Sequence, residues 1–230
     1  NKRRQPVLSI TQPLAPSTNP ENSKSVLDQD SPFYLIKQLS TWIDRGFTVT
    51  AIMDNLLRGL IRTLHLDYAA YFVINPLEET AQLKMHFTAS GLKAVVATGY
   101  SVALINDSIL GWVFNQKHEH VLLNIQESRF TVSDWLLPTT TSQATFPLFA
   151  NNQVIGFLDF QAHQSELFET STLDLIRAIT IYLRGLFAQS ETIPTIQKEN
   201  IGQVEQLMRQ AKNEVELFSM LRSTLIESPF

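Results

Sequence analysis

The segment that most restricts the fold is residues 144–162, ATFPLFANNQVIGFLDFQA. Two apolar stretches flank Asn151 and Asn152, a pair that tolerates the positive φ angles of a tight hairpin turn. The pattern therefore predicts two antiparallel strands joined by that turn. Pro147 lacks an N–H donor, which indicates a sheet edge or a bulge in the first of the two strands.

The rest of the chain contains segments with helical periodicity and further segments that resemble strands. Apolar residues recur at three- and four-residue steps, which is typical of helices with one buried face. The predicted helices cover 33–46, 49–64, 109–114 and 170–189, and the predicted additional strands cover 68–75, 81–89, 100–103 and 119–124. This order predicts an α+β domain with a central antiparallel sheet of five to six strands and helices on its faces.

The two ends of the chain differ in composition from this central part. Residues 1–32 combine prolines with Ser, Thr, Asn and Gln and predict a disordered linker, because they bury too little apolar area to offset ordering entropy. A heptad pattern over 195–227 predicts a long coiled-coil signalling helix, with packing against the same chain left as the alternative because Arg222 falls on its seam. The folded domain is expected at 33–189. The opening residues Asn1-Lys2-Arg3-Arg4 lead us to expect a piece of a larger protein.

Composition excludes several function classes. The chain has no cysteine, which excludes thiol catalysis, thiol-based cofactors and covalent attachment of a bilin, and leaves any other cofactor unknown. A net charge of −4 argues against a nucleic-acid partner. The apolar runs are shorter than the roughly 20 residues of a membrane span, and we expect a cytoplasmic protein. No nucleophile–base pair or catalytic motif is readable, so we predict that the chain is not an enzyme.

Four stretches, taken in order, match one known family. They are ILGWVFNQKHEHVLLNI (109–125), SRF (128–130), FPLFANNQVIGFLDF (146–160) and LFETSTLDLIRAI (167–179). These resemble the Gly-Trp-Val helix with its following strand, part of the Asp-Pro-Arg-Phe turn, the Val-Pro-Leu and Val-Ile-Gly-Val hairpin, and the closing helix of GAF domains in signalling proteins. The resemblance implies a GAF-like fold.

The resemblance also implies a function. It implies a regulatory sensor domain of a larger signal-transduction protein, which binds a small molecule or relays a conformational signal through dimeric helices to a covalently attached output domain. The alternative is a ligand-free structural module for dimerisation and transmission. Asp159-Phe160 stands where some cyclic-nucleotide-binding members carry Asn-Lys, so that binding mode is not expected. Members that carry bilins or reduce methionine sulfoxide depend on cysteines, which this chain lacks.

Candidate ligand contacts follow from the loop at 126–143, which covers the ligand cavity in relatives. Aromatic and acidic side chains suit the recognition of a flat polar ligand. The predicted contacts in this loop are Phe130, Asp134 and Trp135. Trp112 is added from the helix motif, and Phe72, Tyr100 and Thr145 are added because their strand positions are expected to face the same cavity. The other interpretation is that the aromatic residues simply close the core.

Two histidines lie close together in the chain. His118 and His120 are two residues apart, which would place both on one face of a strand and allow a metal pair. The alternative, which we favour, is the polar start of a strand, and we predict no metal site.

Dimer contacts are expected on the apolar faces of the terminal helices. The resemblance implies a helical bundle between two copies of the chain. The predicted interface residues are Phe33, Leu39, Trp42, Ile43, Leu183, Leu186, Val204, Met208, Val215 and Phe218. The alternative is that the helices at 33–43 and 173–187 only cover their own sheet.

Overall fold

A computed structural model describes residues 32–189 of the chain. The predicted linker before Pro32 and the predicted helix at 195–227 lie outside the described residues, together with the interface candidates Val204, Met208, Val215 and Phe218. The helices are α1 (Pro32–Asp44), α2 (Val49–Leu64), α3 (Ile109–Gln116) and α4 (Thr170–Gln189). The strands are β1 (Tyr68–Asn75), β2 (Thr80–Thr88), β3 (Ser101–Ala103), β4 (His120–Leu122), β5 (Ser142–Ala150) and β6 (Gln153–Ala162).

The six strands form one sheet in the order β3-β2-β1-β6-β5-β4, and every neighbouring pair is antiparallel. This confirms the predicted α+β class. The strand predicted at 119–124 is shorter than expected, because Asn124 accepts a hydrogen bond from the Gln126 N–H and starts a short 3-10 turn at Ile125–Glu127. Within residues 32–189, no helix is long and apolar enough to cross a membrane.

Local sequence signals explain where the elements begin and turn. Thr48 caps α2 by accepting a bond from the Ala51 N–H. Asn151 and Asn152 both adopt positive φ, at 48° and 65°, as the predicted hairpin between β5 and β6 requires. Pro147 lies beyond the three residues of β5 that pair with β4, so its missing N–H leaves no bond to that strand unmade.

The surroundings of Gly111 explain why the Gly-Trp-Val motif begins with glycine. Its N–H bonds the hydroxyl of Ser108, the residue that caps α3, at 3.0 Å. A Cβ atom on Gly111 would lie 1.9 Å from the carbonyl oxygen of Ile105. The loop before α3 therefore packs so closely on the helix that only glycine fits.

The sheet separates two apolar cores. On one face, α1, α2 and α4 pack around residues such as Leu158 and Phe160. On the other face, α3 and the loop before β5 cover Phe72 and Phe157.

This packing corrects part of the predicted dimer interface. Leu39 and Leu183 are fully buried in the core of their own chain, so they have no surface left for a partner. Trp42, Ile43 and Leu186 are only partly buried, and their role as interface residues stays a prediction. Phe33 lies within α1, and its side chain is outside the described part of the structure.

Candidate functional site

A buried carboxylate lies at the centre of the sheet face opposite α1, α2 and α4. Asp159 on β6 pairs with Ala70 on β1 and with Thr145 on β5, so it is flanked by strands on both sides. Its side chain is fully buried. A buried charge is costly unless it is well hydrogen-bonded, so the hydrogen-bond donors around Asp159 determine which groups this face can bind.

Four neutral groups donate to Asp159. Oδ1 accepts from the Thr145 hydroxyl at 2.6 Å and from the Gln143 amide at 2.8 Å. Oδ2 accepts from the Trp135 indole at 2.9 Å and from the Gln161 amide at 3.3 Å. Burial raises the pKa of the Asp159 carboxyl above its ordinary value, and the four donors oppose that rise. The contacts therefore solvate the carboxylate without placing a cation against it.

Trp135 belongs to the loop that covers this face. We call residues 126–141 the lid, because β5 begins at Ser142, earlier than predicted. The Trp135 ring is buried and packs on Phe72, with ring centroids 5.4 Å apart at an interplanar angle of 60°. Gln161 Oε1 accepts from the Leu137 N–H at 2.9 Å and from the Thr140 hydroxyl at 2.8 Å. The lid is thus closed onto β6 by buried hydrogen bonds.

A small cleft remains beneath the lid. Its volume is about 120 Å³, and its walls include Ile109, Leu122, Ile125, Phe130, Leu136 and Gln143. Pockets for drug-sized ligands measure about 300–1,000 Å³, so the cleft is too small for such a molecule while the lid is closed. Gln143 connects the cleft to the carboxylate, because it lines the one and donates to the other.

A second aromatic group closes the edge of this face at β4. The ring of His120 lies against Trp112 at 4.7 Å and against Phe130 at 5.1 Å. Burial, followed by the charge of Arg129, lowers the pKa of His120. Its Nδ1 atom is buried and has no hydrogen-bond partner among the described residues.

The two histidines are not brought together as a metal pair. His118 precedes β4 and is largely exposed, with its Nδ1 atom 3.5 Å from a Glu119 carboxylate oxygen, whereas His120 packs among aromatic rings. Residues 32–189 contain no group of three or more His, Asp or Glu side chains placed to hold a metal ion.

The rim of the lid carries a separate polar contact. The Tyr100 hydroxyl donates to Asp134 Oδ2 at 2.5 Å. This hydrogen bond is the largest cause that raises the pKa of Tyr100. Asp134 is exposed and bound to Tyr100, so the acidic side chain of the lid lies at its outer edge rather than against Asp159.

The predicted ligand residues therefore divide into three groups. Phe72, Trp135 and Thr145 meet around Asp159. Trp112 and Phe130 pack with His120, while Tyr100 and Asp134 join at the rim. Contact of any of them with a ligand stays a prediction.

Sequence reasoning missed Asp159, Gln143 and Gln161 as members of the site. Asp159 entered the sequence analysis only as a departure from a nucleotide-binding pattern. The available signal was a charged residue inside the apolar strand FLDF, because such a residue is seldom buried without a dedicated set of partners.

Tyr68 adds an unsatisfied polar group to the same face. It lies on β1 opposite Gln161, and its ring stacks on His86 at 5.8 Å. Its hydroxyl is fully buried and has no hydrogen-bond partner among the described residues. Burial, followed by the charge of Asp159, raises the pKa of Tyr68. A buried hydroxyl without a hydrogen-bond partner is uncommon, and it marks a place where a bound ligand could supply the missing hydrogen bond.

Comparison with solved structures shows that the fold is GAF-like. The GAF domain of a two-component sensor histidine kinase from Bacillus halodurans matches with a TM-score of 0.54 and 16% identity, over 64% of this chain and 97% of that one. The phycocyanobilin-bound GAF domain of a cyanobacterial phytochrome matches with a TM-score of 0.59 and 12% identity, over 70% and 95%. No family model matches the sequence, and no curated protein matches it either.

An enzyme shares the same fold. Free methionine-R-sulfoxide reductase from Neisseria meningitidis, solved in complex with its substrate, matches with a TM-score of 0.59 and 13% identity, over 73% of this chain and 96% of that one. The prediction that the chain is not an enzyme is therefore wrong. Enzymes occur among proteins of this fold, so enzymatic activity is possible for this chain.

Proposed function

We propose that this chain is a cytoplasmic regulatory sensor domain of a larger signal-transduction protein. It binds a small molecule on the sheet face beneath the lid and relays the bound state through helices to an output domain. The observation that carries the proposal is the buried Asp159 carboxylate, which is surrounded by neutral donors and covered by a loop. Sensor-kinase and phytochrome domains of the same fold support it.

The relay rests on the division of the two sheet faces. Trp135 and Asp159 lie on one face, whereas α1, α2 and α4 cover the other. Arg177 on α4 bonds Glu119, which immediately precedes β4, and β4 pairs with β5 at Thr145. A ligand that binds the lid-open arrangement more tightly than the closed one would shift the equilibrium between them, and these contacts offer a physical connection to α4. In this proposal the chain acts as a homodimer, with Trp42, Ile43 and Leu186 as candidate contacts.

One observation favours the alternative of a ligand-free structural module. Trp135 already fills the space over Asp159 and satisfies one of its oxygen atoms. In that alternative the lid never opens, and the domain serves only to dimerise and transmit.

A thermal-shift screen separates the two functions. The wild-type chain is heated with nucleotides, haem, bilins, amino acids and nitrogen heterocycles, and Asp159→Asn is the control variant. The sensor function predicts that at least one compound raises the melting temperature of the wild type and raises that of Asp159→Asn much less. If no compound stabilises the wild type, the structural module is the better account.

A further inference from the structure

The four donors to Asp159 differ in where they are attached. Gln143, Thr145 and Gln161 lie on β5 and β6, so the sheet itself holds them in place. The Trp135 indole is the donor that the lid supplies. If the lid lifted, Oδ2 would lose its shorter bond and keep the 3.3 Å contact from Gln161.

The surroundings of the indole are those of a site for a flat ring. Phe72, Phe157 and Leu137 belong to the same buried apolar cluster as Trp135. Tyr68 belongs to it too, and its buried hydroxyl has no partner among the described residues. The face therefore offers apolar walls, a buried carboxyl group that accepts hydrogen bonds and a buried hydroxyl that can donate or accept.

We propose that the Trp135 indole occupies a ligand site, and that the ligand is a planar nitrogen heteroaromatic compound whose N–H replaces that of Trp135 at Asp159 Oδ2. This inference rests on the proposed sensor function and names its ligand class. Trp135, which is attached to the lid, competes with the ligand for Asp159, and the ligand displaces it when the lid opens.

The chemistry of the site limits which compounds can compete. A compound without an N–H or O–H donor leaves the buried Oδ2 short of a bond, which is penalised. An anionic carboxylate or phosphate would lie against the Asp159 carboxyl, and two like charges in one buried site are disfavoured. A ring with a second nitrogen, such as benzimidazole, can also accept a hydrogen bond from a hydroxyl such as that of Tyr68.

Removal of the indole tests the inference directly. Trp135→Ala should open a space that indole or benzimidazole fills, and both should raise the melting temperature of the variant. N-methylindole has nearly the same shape but no N–H, so we expect its dissociation constant, measured by calorimetry, to be at least about tenfold higher than that of indole. In Trp135→Ala combined with Asp159→Asn, this preference for the N–H should disappear.

Two further variants serve as controls for this experiment. Trp42→Ala removes the same type of side chain from α1, on the other face of the sheet, and should not bind indole. If Trp135→Ala fails to fold, as judged by circular dichroism, Trp135→Leu with pyrrole against N-methylpyrrole provides the same comparison in a smaller space. Equal binding of the N–H and N-methyl compounds, or no binding to a folded variant, would overturn the inference.

The experiment also separates this inference from the sensor function. If Trp135→Ala prefers indole while no compound of any class stabilises the wild type, the site chemistry stands and the sensor function fails. If an amino acid or another compound outside this class stabilises the wild type while folded Trp135→Ala rejects indole, the sensor function stands and the inference is wrong.

Discussion

The guanidinium of Arg177 on α4 lies 2.8 Å from a carboxylate oxygen of Glu119, the residue just before the edge strand β4. A second arm of the same guanidinium contacts Asp174 at 2.7 Å. These hydrogen bonds and the nearby carboxylates raise the pKa of Arg177 against the opposing effect of burial. The ion pair thus joins the helix layer on one face of the sheet to the strand that borders the lid.

A double-mutant cycle on Arg177→Gln and Glu119→Gln should give a coupling free energy of about 1 kcal/mol, because the pair is partly shielded from water. The measurement is the free energy of unfolding in urea. The matched control is the exposed pair of Arg58 and Asp54, which lies within α2 and should couple by at most about 0.5 kcal/mol. Equal coupling free energies in the two cycles would contradict the idea that the Arg177–Glu119 pair is stronger than an exposed ion pair.

Stability should depend on pH through Asp159. The pKa of this carboxyl is raised in the folded state, so the native chain keeps the proton to higher pH than the unfolded chain does. The stability that Asp159 contributes is therefore full below its ordinary pKa of 3.8 and is lost as pH rises through the folded value. We expect the unfolding free energy of the wild type, minus that of Asp159→Asn, to fall as pH is raised from about 4. Urea titrations at several pH values test this, and a difference that rises with pH would contradict it.

Gly111 and Gly59 form a matched pair of helical glycines. A Cβ on Gly111 would collide with the backbone carbonyl of Ile105, so Gly111→Ala should lower the unfolding free energy by about 3 kcal/mol. A Cβ on Gly59 would meet only the end of the Leu35 side chain, at 2.6 Å, and that side chain can rotate. Because alanine also favours helix by about 1 kcal/mol, Gly59→Ala should stay within about 1 kcal/mol of the wild type. Equal losses in the two variants would show that backbone crowding at Gly111 is not the cause.

The relay requires association of two chains. Light scattering on the chain ending at Gln189 and on the chain ending at Phe230 should show a dimer for the longer form at about 50 µM, a concentration at which a micromolar dissociation constant gives mostly dimer. Trp42→Glu should weaken that dimer, because Trp42 is only partly buried on α1. Monomers from both chains would remove the support for the relay.

Much of the architecture could be predicted from the sequence, because periodicity and local caps act over a few residues. The hairpin at Asn151 and Asn152, the α2 helix after Thr48 and the α4 helix all follow from such short-range rules. The strand at 119–124 was predicted too long, because the Asn124 side chain caps a turn that apolar content does not indicate.

The site was harder to predict, because it depends on pairing between distant strands. Asp159 meets Thr145 across a hairpin and meets Trp135 across 24 residues of chain. Neither contact follows from spacing along the sequence, and a register slip of one residue would point these side chains to the opposite face. The same limit explains why Leu39 and Leu183 were predicted as interface residues although their own core buries them.

Hydrogen exchange across the lid tests the central claim, that a buried bond from Trp135 to Asp159 holds the lid over the site. Trp135→Phe keeps an aromatic ring but removes the N–H donor, which should speed exchange in peptides from 126–141 by about tenfold, since leaving a buried acceptor without its donor costs about 1–3 kcal/mol. Exchange in α2 should stay unchanged, and Trp42→Phe should leave the lid as protected as in the wild type. Unchanged exchange of the lid in Trp135→Phe, or an equal rise throughout the domain, would contradict the account.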